Sequence, residues 1–273
     1  MYPWHRVLVP TDFSTASEWS FDAAIELAGT TGAELLILHV RSTRTSHPDE
    51  LRFPADETLY AYAEQVQLDK LRERAGRMNA AVATRMIVRQ APDPGAEISR
   101  AARSEQADLV VIATHARHHV AHLLIGSTTL KVLHETSVPL LAIRYGIPRR
   151  TTCRNIVIPI HAAQTTDAAA ALAASIANRQ GSDVHLVTVC DDADRKAAEA
   201  RIDSIAARFE KPPRRTVIRG DDVETGLGRY IASVGADTLF VNGGADSIGG
   251  VKRDIIRRIP IPIMIVPATT ASA

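Results

Sequence analysis

The sequence VLVPTDFSTAS at residues 7–17 returns in looser form as IVIPIHAAQTT at residues 156–166. Each stretch is a short apolar run with proline in fourth place, and the two copies start 149 residues apart. The same spacing aligns Gly32, which opens GAELLILHV, with Gly181, which opens GSDVHLVTV. A predicted strand, a helix and a second strand therefore repeat without a gap.

Later segments continue the repeat with fewer intervening residues. The segment ADLVVIAT matches ADTLFVNG at a spacing of 129 residues, and SVPLLAI matches PIPIMIV at a spacing of 123 residues. Repeat units of this length indicate a duplicated domain, since solenoid units span only about 20–50 residues. We therefore predict two domains within the 273 residues, at 1–146 and 152–268.

Short Val, Ile and Leu runs alternate with helical patterns in each copy, which is typical of parallel strands buried on both faces and joined by crossover helices. In the first copy, the strands are predicted at residues 7–10, 35–40, 86–88, 109–113 and 140–143. Apolar residues at helical spacing predict a buried face on the first helix, at Phe21, Ala24, Ile25 and Ala28. The predicted fold is α/β, with two tandem doubly wound five-stranded parallel sheets of Rossmann-like strand order 3-2-1-4-5.

Charge and composition exclude several classes of protein. The 32 Lys and Arg residues nearly balance 31 Asp and Glu residues, so the sequence shows no large basic surface for nucleic acid or an anionic membrane. No apolar run approaches the roughly 18 residues that span a bilayer, and the opening MYPWHRVLVPTD lacks a signal-peptide pattern. We expect a cytoplasmic protein without nucleic-acid or membrane partners.

A ligand site is expected where the winding of the sheet reverses, between the first and fourth strands. Residues 11–14 leave the first strand, with Thr11, Asp12 and Ser14 among them, and residues 114–117 leave the fourth, with His115, Ala116 and Arg117 among them. A carboxylate, a hydroxyl, an imidazole and a guanidinium would converge on one crevice. Asp12 also fits a simpler role as a helix N-cap or turn residue, and the sequence leaves both open.

The sequence Gly126-Ser127-Thr128-Thr129 opens a helical stretch shortly after the fourth strand. Glycine allows close approach of the backbone, and hydroxyl residues at a helix start present N–H and O–H donors to an anion. This segment is a candidate phosphate site. An ordinary capped helix would explain the same residues.

These segments together resemble the universal stress protein family. The resemblance rests on VLVPTDFSTAS, GAELLILHV and DLVVIATHARHHVAHLLIGSTTLKVLHETSVPLLAI, which span essentially all of the first copy. The nucleotide motif of the family is G-x-x-G, nine residues, then G-S or G-T. Its spacing survives here as Ala113, Ala116, Gly126 and Ser127, with alanine at two of the three glycine positions.

The resemblance implies a stress-response regulator that binds ATP or a related adenine nucleotide, with Mg²⁺ as an accompanying ion, and that hydrolyses it slowly or not at all. It implies that Asp12 and Val40 recognise the adenosine and that Gly126 to Thr129 hold phosphates. The candidate nucleotide-binding residues are Pro10, Thr11, Asp12, Val40, Ile112, Ala113, His115, Ala116, Arg117, Gly126, Ser127, Thr128 and Thr129. It also implies an intramolecular pseudo-dimer that pairs residues 140–143 with 263–266, and it leaves a homodimer of the whole chain open.

The second copy departs from this pattern. His161 stands at the position of Asp12, and the loop after the fourth strand reads Asn242-Gly243-Gly244-Ala245-Asp246. A six-residue deletion places Gly249-Gly250 where Gly126-Ser127 would stand. We predict no ATP site in the second copy.

Two other functions are compatible with the residues. Alanine at 113 and 116 and the diverged second copy would suit a nucleotide-free interaction scaffold. An enzyme, either an ATPase or a metal-assisted hydrolase, could use the histidines of HxxHHxxH at His115, His118, His119 and His122. Because the family pattern places His115 and His118 in a loop, and no familiar enzyme motif is present, we predict neither a metal site nor a catalytic residue.

Overall fold

The computed structural model describes residues 4–43, 57–114, 126–146, 152–161, 167–220, 222–243, 255 and 259–267. The first half contains β1 (Arg6–Thr11), α1 (Thr15–Thr31), β2 (Glu34–Ser42), α2 (Glu57–Met78), β3 (Thr84–Ala91), α3 (Pro94–Ser104), β4 (Leu109–Ala113), α4 (Ser127–Glu135) and β5 (Leu140–Ile143). The second half contains β6 (Asn155–Pro159), α5 (Asp167–Gln180), β7 (Asp183–Cys190), α6 (Arg195–Ala206), β8 (Arg214–Arg219), α7 (Val223–Val234), β9 (Thr238–Gly243) and β10 (Ile263–Pro267).

All ten strands belong to one sheet, in the order β3-β2-β1-β4-β5-β10-β9-β6-β7-β8. Each half has the order 3-2-1-4-5, so the predicted α/β class and winding are confirmed. The strands within each half are parallel, whereas β5 and β10 pair antiparallel. The two predicted sheets are therefore one ten-stranded sheet, joined by the pairing of residues 140–143 with residues 263–266 that the resemblance implies.

The seam between the halves is the pairing of β5 with β10. Leu141 lies opposite Met264 and Leu140 lies opposite Ile265, and all four side chains are buried. A strand at the edge of a sheet exposes unpaired N–H and C=O groups, and each half covers this edge of the other.

Two layers of helices cover the sheet because strand side chains alternate between its faces. Val7 and Val9 pack on the face that carries α1, α2, α5 and α6, whereas Leu8 packs on the face that carries α3, α4 and α7. The predicted apolar face of α1 is fully buried. Both core clusters contain residues from both halves, so the seam is part of a shared core.

Local signals set the ends of α1. The Ser14 hydroxyl accepts a hydrogen bond from the Ser17 amide at 3.2 Å, which caps the helix next to the end of β1. At the other end, Gly32 has a φ of 75° and its N–H donates to the Ala28 carbonyl at 2.8 Å. Glycine adopts this left-handed conformation without steric cost, and the chain turns there into β2.

The second half buries a polar cluster where the first half is apolar. His185 on β7 is 2% exposed, and its Nδ1 lies 2.8 Å from the Tyr230 hydroxyl, which also lies 3.0 Å from the Thr216 hydroxyl. The strand register places His185 at the position of the buried Leu36. Burial lowers the pKa of His185, and nearby Arg214 adds to this effect.

We predict that His185→Leu reduces the loss of stability in mild acid. Because the folded protein disfavours the charged imidazole, the unfolded chain binds more protons, and stability must fall as the pH drops below the ordinary histidine value of 6.5. Urea unfolding at pH 7 and pH 5 checks this. An equal decrease in the free energy of unfolding for wild type and variant would contradict it.

We also predict that Leu141→Ala lowers the free energy of unfolding by about 2–5 kcal/mol, because it leaves a cavity in the shared core at the seam. The matched control is Val88→Ala on the edge strand β3, where the side chain is 42% exposed and the expected change is within about 0.5 kcal/mol. Urea unfolding followed by circular dichroism measures both. Equal effects of the two substitutions would show that the seam is not part of the stabilising core.

Candidate functional site

A cavity of about 550 Å³ opens at the carboxyl ends of β1, β2 and β4. The structure brings ten of the predicted site residues together around it: Pro10, Thr11, Asp12, Val40, Ile112, Ala113, Gly126, Ser127, Thr128 and Thr129. The other three, His115, Ala116 and Arg117, lie outside the described residues. The cavity therefore occupies the switch point that the strand order predicts.

Eight further residues line the cavity, of which the sequence placed only Ser14 at the crevice and missed the other seven. They come from the first turn of α1, from β2 and from α3: Ser14, Ser17, Leu38, His39, Arg41, Ser42, Pro94 and Ile98. The residues of β2 could have been found, because they flank Val40 on a strand already placed at the site. Asp93-Pro94 is a helix-start signal, and a helix after β3 in this topology must begin at the same edge of the sheet.

Asp12 shapes the turn between β1 and α1. Its Oδ1 accepts a hydrogen bond from the Ser14 amide at 3.0 Å, which is an Asx turn, and Ser14 rather than Asp12 is the N-cap of the helix. Asp12 is exposed and also lines the cavity. The turn role and a role at the cavity are therefore compatible.

Three helices begin at the cavity. Ser14 caps α1 and Asp93 caps α3 with their side chains, whereas the N-cap of α4 is Gly126, which has no side chain to cap the helix. The N-terminus of a helix carries a partial positive charge and N–H groups without helical partners. The start of α4, at Ser127 and Thr128, is accordingly the part of the cavity best suited to an anion.

Alanine at position 113 does not strain the backbone. Ala113 ends β4 in strand conformation, and the non-glycine residues with positive φ in the described part of the chain are Phe13, Gln106 and Cys153. The Ala113 carbonyl accepts a hydrogen bond from the Thr129 hydroxyl at 2.9 Å, which ties the start of α4 to the end of β4. Ala113 lines the cavity, which keeps a volume of about 550 Å³ with alanine at this position.

Comparison with known proteins agrees with this architecture. A family model described as the universal stress protein family matches residues 3–144, just over half of the chain. The chain belongs to the universal stress protein family. Universal stress protein Rv2623 of Mycobacterium tuberculosis strain H37Rv is 31% identical over 142 residues, which are 52% of this chain and 46% of that protein. The match thus spans about half the length of this relative.

Solved structures extend the likeness of fold to both halves. A universal stress protein from Archaeoglobus fulgidus DSM 4304 superposes with a TM-score of 0.75 at 19% identity, covering 97% of this chain and 99% of that one. PA1789 of Pseudomonas aeruginosa PAO1, a functionally unknown protein, gives a TM-score of 0.60 at 14% identity and covers 97% and 93%. The tandem arrangement is therefore a fold shared with these proteins.

The second half of this universal stress protein has a different crevice. A cavity of about 410 Å³ lies there beside β8 and α7, and one of about 190 Å³ is lined by His161, Cys190, Asp191 and Asp194, among others. The buried Asn242 accepts a hydrogen bond from the Ala169 amide at 2.7 Å, joining the end of β9 to the start of α5. The carboxylates of Asp191 and Asp194 disfavour phosphates beside His161, and the absence of an ATP site in this half stays a prediction.

Two other expectations concern metals and membranes. Within the described ranges, no group of three or more His, Cys, Asp or Glu side chains could hold a metal ion. The cluster of His115, His118, His119 and His122 lies outside those ranges. No helix in the described part of this universal stress protein is both long and apolar enough to cross a bilayer.

Helices α3 and α4 pack closely at Gly95. A Cβ atom at this position would lie 2.6 Å from the Cβ of Lys131 and 3.0 Å from the carbonyl oxygen of Thr128. Neither atom is the end of a flexible side chain, so a larger residue must push the start of α4 away from α3. Gly95 thus helps to set the width of the cavity.

We predict that Gly95→Ala lowers the free energy of unfolding by about 1–3 kcal/mol through overpacking. The control is Gly76→Ala in the exposed part of α2, where a Cβ meets nothing within 4 Å and the expected effect is a gain of about 0.5–1 kcal/mol. Thermal unfolding of both variants measures the difference. A stabilising effect at both positions would show that α3 and α4 can separate without cost.

Proposed function

We propose that the cavity of the first half binds ATP or a related adenine nucleotide, and that the protein is a stress-response regulator that hydrolyses the nucleotide slowly or not at all. The observation that carries this proposal is the cavity itself, where β1, β2 and β4 end beside the uncapped start of α4. Its volume of about 550 Å³ falls in the range of about 300–1,000 Å³ that is usual for small-ligand sites.

Different regions of the cavity lining suit the base, the ribose and the phosphates of a nucleotide. Leu38, Ile98 and Ile112 offer apolar surface for a base, and Asp12 offers hydrogen-bond acceptors for an amino or hydroxyl group of an adenosine. Residues 127–129 offer backbone N–H groups for phosphates, and Ser127 and Thr128 also offer hydroxyls. We infer that the adenosine lies towards β1 and β2 and that the phosphates lie at α4.

Mg²⁺ would accompany the phosphates rather than occupy a site of its own. This ion keeps several waters and binds proteins through one or two carboxylates together with substrate phosphates. Among the described lining residues, Asp12 is the carboxylate. Because this carboxylate is assigned to the adenosine, the ion would be held by the phosphates and by waters, and it would neutralise charge on the phosphates.

As a regulator, the nucleotide would act by bridging the ends of β1 and β4. A ligand shifts a conformational equilibrium only by the difference between its affinities for the two states. The hydrogen bond of Thr129 to Ala113 already ties α4 to β4 in this structure. We infer that bound nucleotide stabilises this closed arrangement and thereby favours one set of protein partners.

We predict that the purified protein retains adenine nucleotide detectable by mass spectrometry and binds ATP in calorimetry. Asp12→Ala should weaken binding by about 10–100-fold, because a hydrogen bond to a charged group contributes about 1.5–3 kcal/mol. The matched control is His161→Ala, at the same position of the second half, with an expected change below about twofold.

Three outcomes would redirect the proposal. Absence of ATP binding by the wild type at millimolar ligand, with and without Mg²⁺, would favour the nucleotide-free scaffold. Equal affinities of wild type and Asp12→Ala would remove the site assignment while keeping the function. Phosphate release that is lost in His115→Ala would favour an enzyme.

A further inference from the structure

Phe13, directly after Asp12, has a left-handed backbone with a φ of 61°. Bulky L-residues rarely adopt this conformation, because the Cβ atom comes too close to the backbone, and surrounding contacts must hold it in place. Neighbouring residues must therefore stabilise the turn at residues 11–13 in this conformation.

Phe13 packs against the core, and two specific contacts hold it in this conformation. Its amide donates a hydrogen bond to the Thr11 hydroxyl at 3.0 Å, and its ring stacks on the imidazole of His39 with centroids 4.4 Å apart and planes inclined by 30°. The Thr11 hydroxyl also lies 3.3 Å from that of Ser17, in the first turn of α1. The turn is therefore anchored to β1, to α1 and to the side chain of His39 on β2.

His39 contacts both neighbours of Asp12. Its Nδ1 lies 2.9 Å from the Thr11 carbonyl oxygen, and because a carbonyl can only accept, Nδ1 carries the hydrogen. The same ring supports Phe13 on the other side of Asp12. One imidazole, 15% exposed, thus fixes the residue before Asp12 through a hydrogen bond and the residue after it through stacking.

A nearly buried glutamate, Glu64, lies next to the His39 imidazole on the side away from the turn. Glu64 on α2 is 10% exposed, its carboxylate lies 4.0 Å from Nε2 of His39, and it also pairs with Arg41 at the end of β2. His39 is therefore enclosed between α2 and the turn. Its ring has little freedom to leave the Thr11 carbonyl.

The second half lacks this arrangement. The registers of β1 with β2 and of β6 with β7 place Thr188 at the position of His39, and His161 stands where the first half has Asp12. Asp12 and His39 thus occur together in the first half. The equivalent positions of the second half hold neither a carboxylate nor a histidine on the second strand.

We propose that His39 is a positioning residue for nucleotide binding: it holds the turn at residues 11–13 so that the Asp12 carboxylate stays at the cavity. The effect on nucleotide rests on the proposed function, whereas the effect on the turn does not. His39 would position Asp12 through its contacts with the Thr11 carbonyl and the Phe13 ring. This role does not require His39 to contact the ligand.

The first test needs no nucleotide. Amide hydrogen exchange is measured at Phe13 and Ser14, whose N–H groups are both bonded within the turn, in wild type, His39→Phe and His39→Asn. His39→Phe keeps an aromatic ring but loses the donor, and we expect about tenfold faster exchange at both amides. His39→Asn keeps a donor near Nδ1 and should restore part of the protection. Unchanged exchange in His39→Phe would overturn the proposal.

The second test is a double-mutant cycle with ATP. His39→Phe should weaken binding about tenfold in the wild-type background and less than about twofold in Asp12→Ala, because its effect passes through that carboxylate. Equal losses in both backgrounds would overturn positioning in favour of a general structural role. If the wild type binds no ATP, the proposed function fails, and the exchange measurement still decides what His39 does to the turn.

Discussion

The position of β1 between β2 and β4, with all three strands parallel, is the constraint on which the rest of the first half depends. Parallel pairing brings the carboxyl ends of these strands, and the N-termini of the helices that follow, to one edge of the sheet. Because α1 packs on one face while α3 and α4 pack on the other, the chain separates after β1 and leaves a cavity. Asp12 and Gly126 both line this cavity although they are far apart in sequence.

The duplicated half follows the same winding but not the same chemistry. Its strands have the same order, and antiparallel pairing of β5 with β10 unites the two cores. At its switch point, His161 stands in place of the Asp12 carboxylate, and Asn242 accepts a hydrogen bond from the start of α5. The fold depends on burial pattern and strand order, and a site depends on a few side chains, so one copy can lose the site and keep the fold.

Much of the architecture could be predicted from apolar periodicity and the repeat, because both record burial. The bounds of β4 and β5 agree with the prediction, and the first three strands are longer than their apolar runs because polar residues extend them at one or both ends. Topology then brought the lining residues of β1, β4 and α4 together. The roles of His39 and Gly95 could not be predicted, because stacking on Phe13 and close packing against Lys131 join elements whose contacts leave no spacing signal.

The central claim is that a nucleotide occupies the cavity of the first half, and a crystal structure grown with ATP and Mg²⁺ tests it most directly. We predict one nucleotide per chain, with the base beside the carboxyl ends of β1 and β2 and the phosphates at Gly126 to Thr129. Occupancy of the crevice beside His161 in the second half, or an empty first-half cavity at saturating ATP, would contradict it.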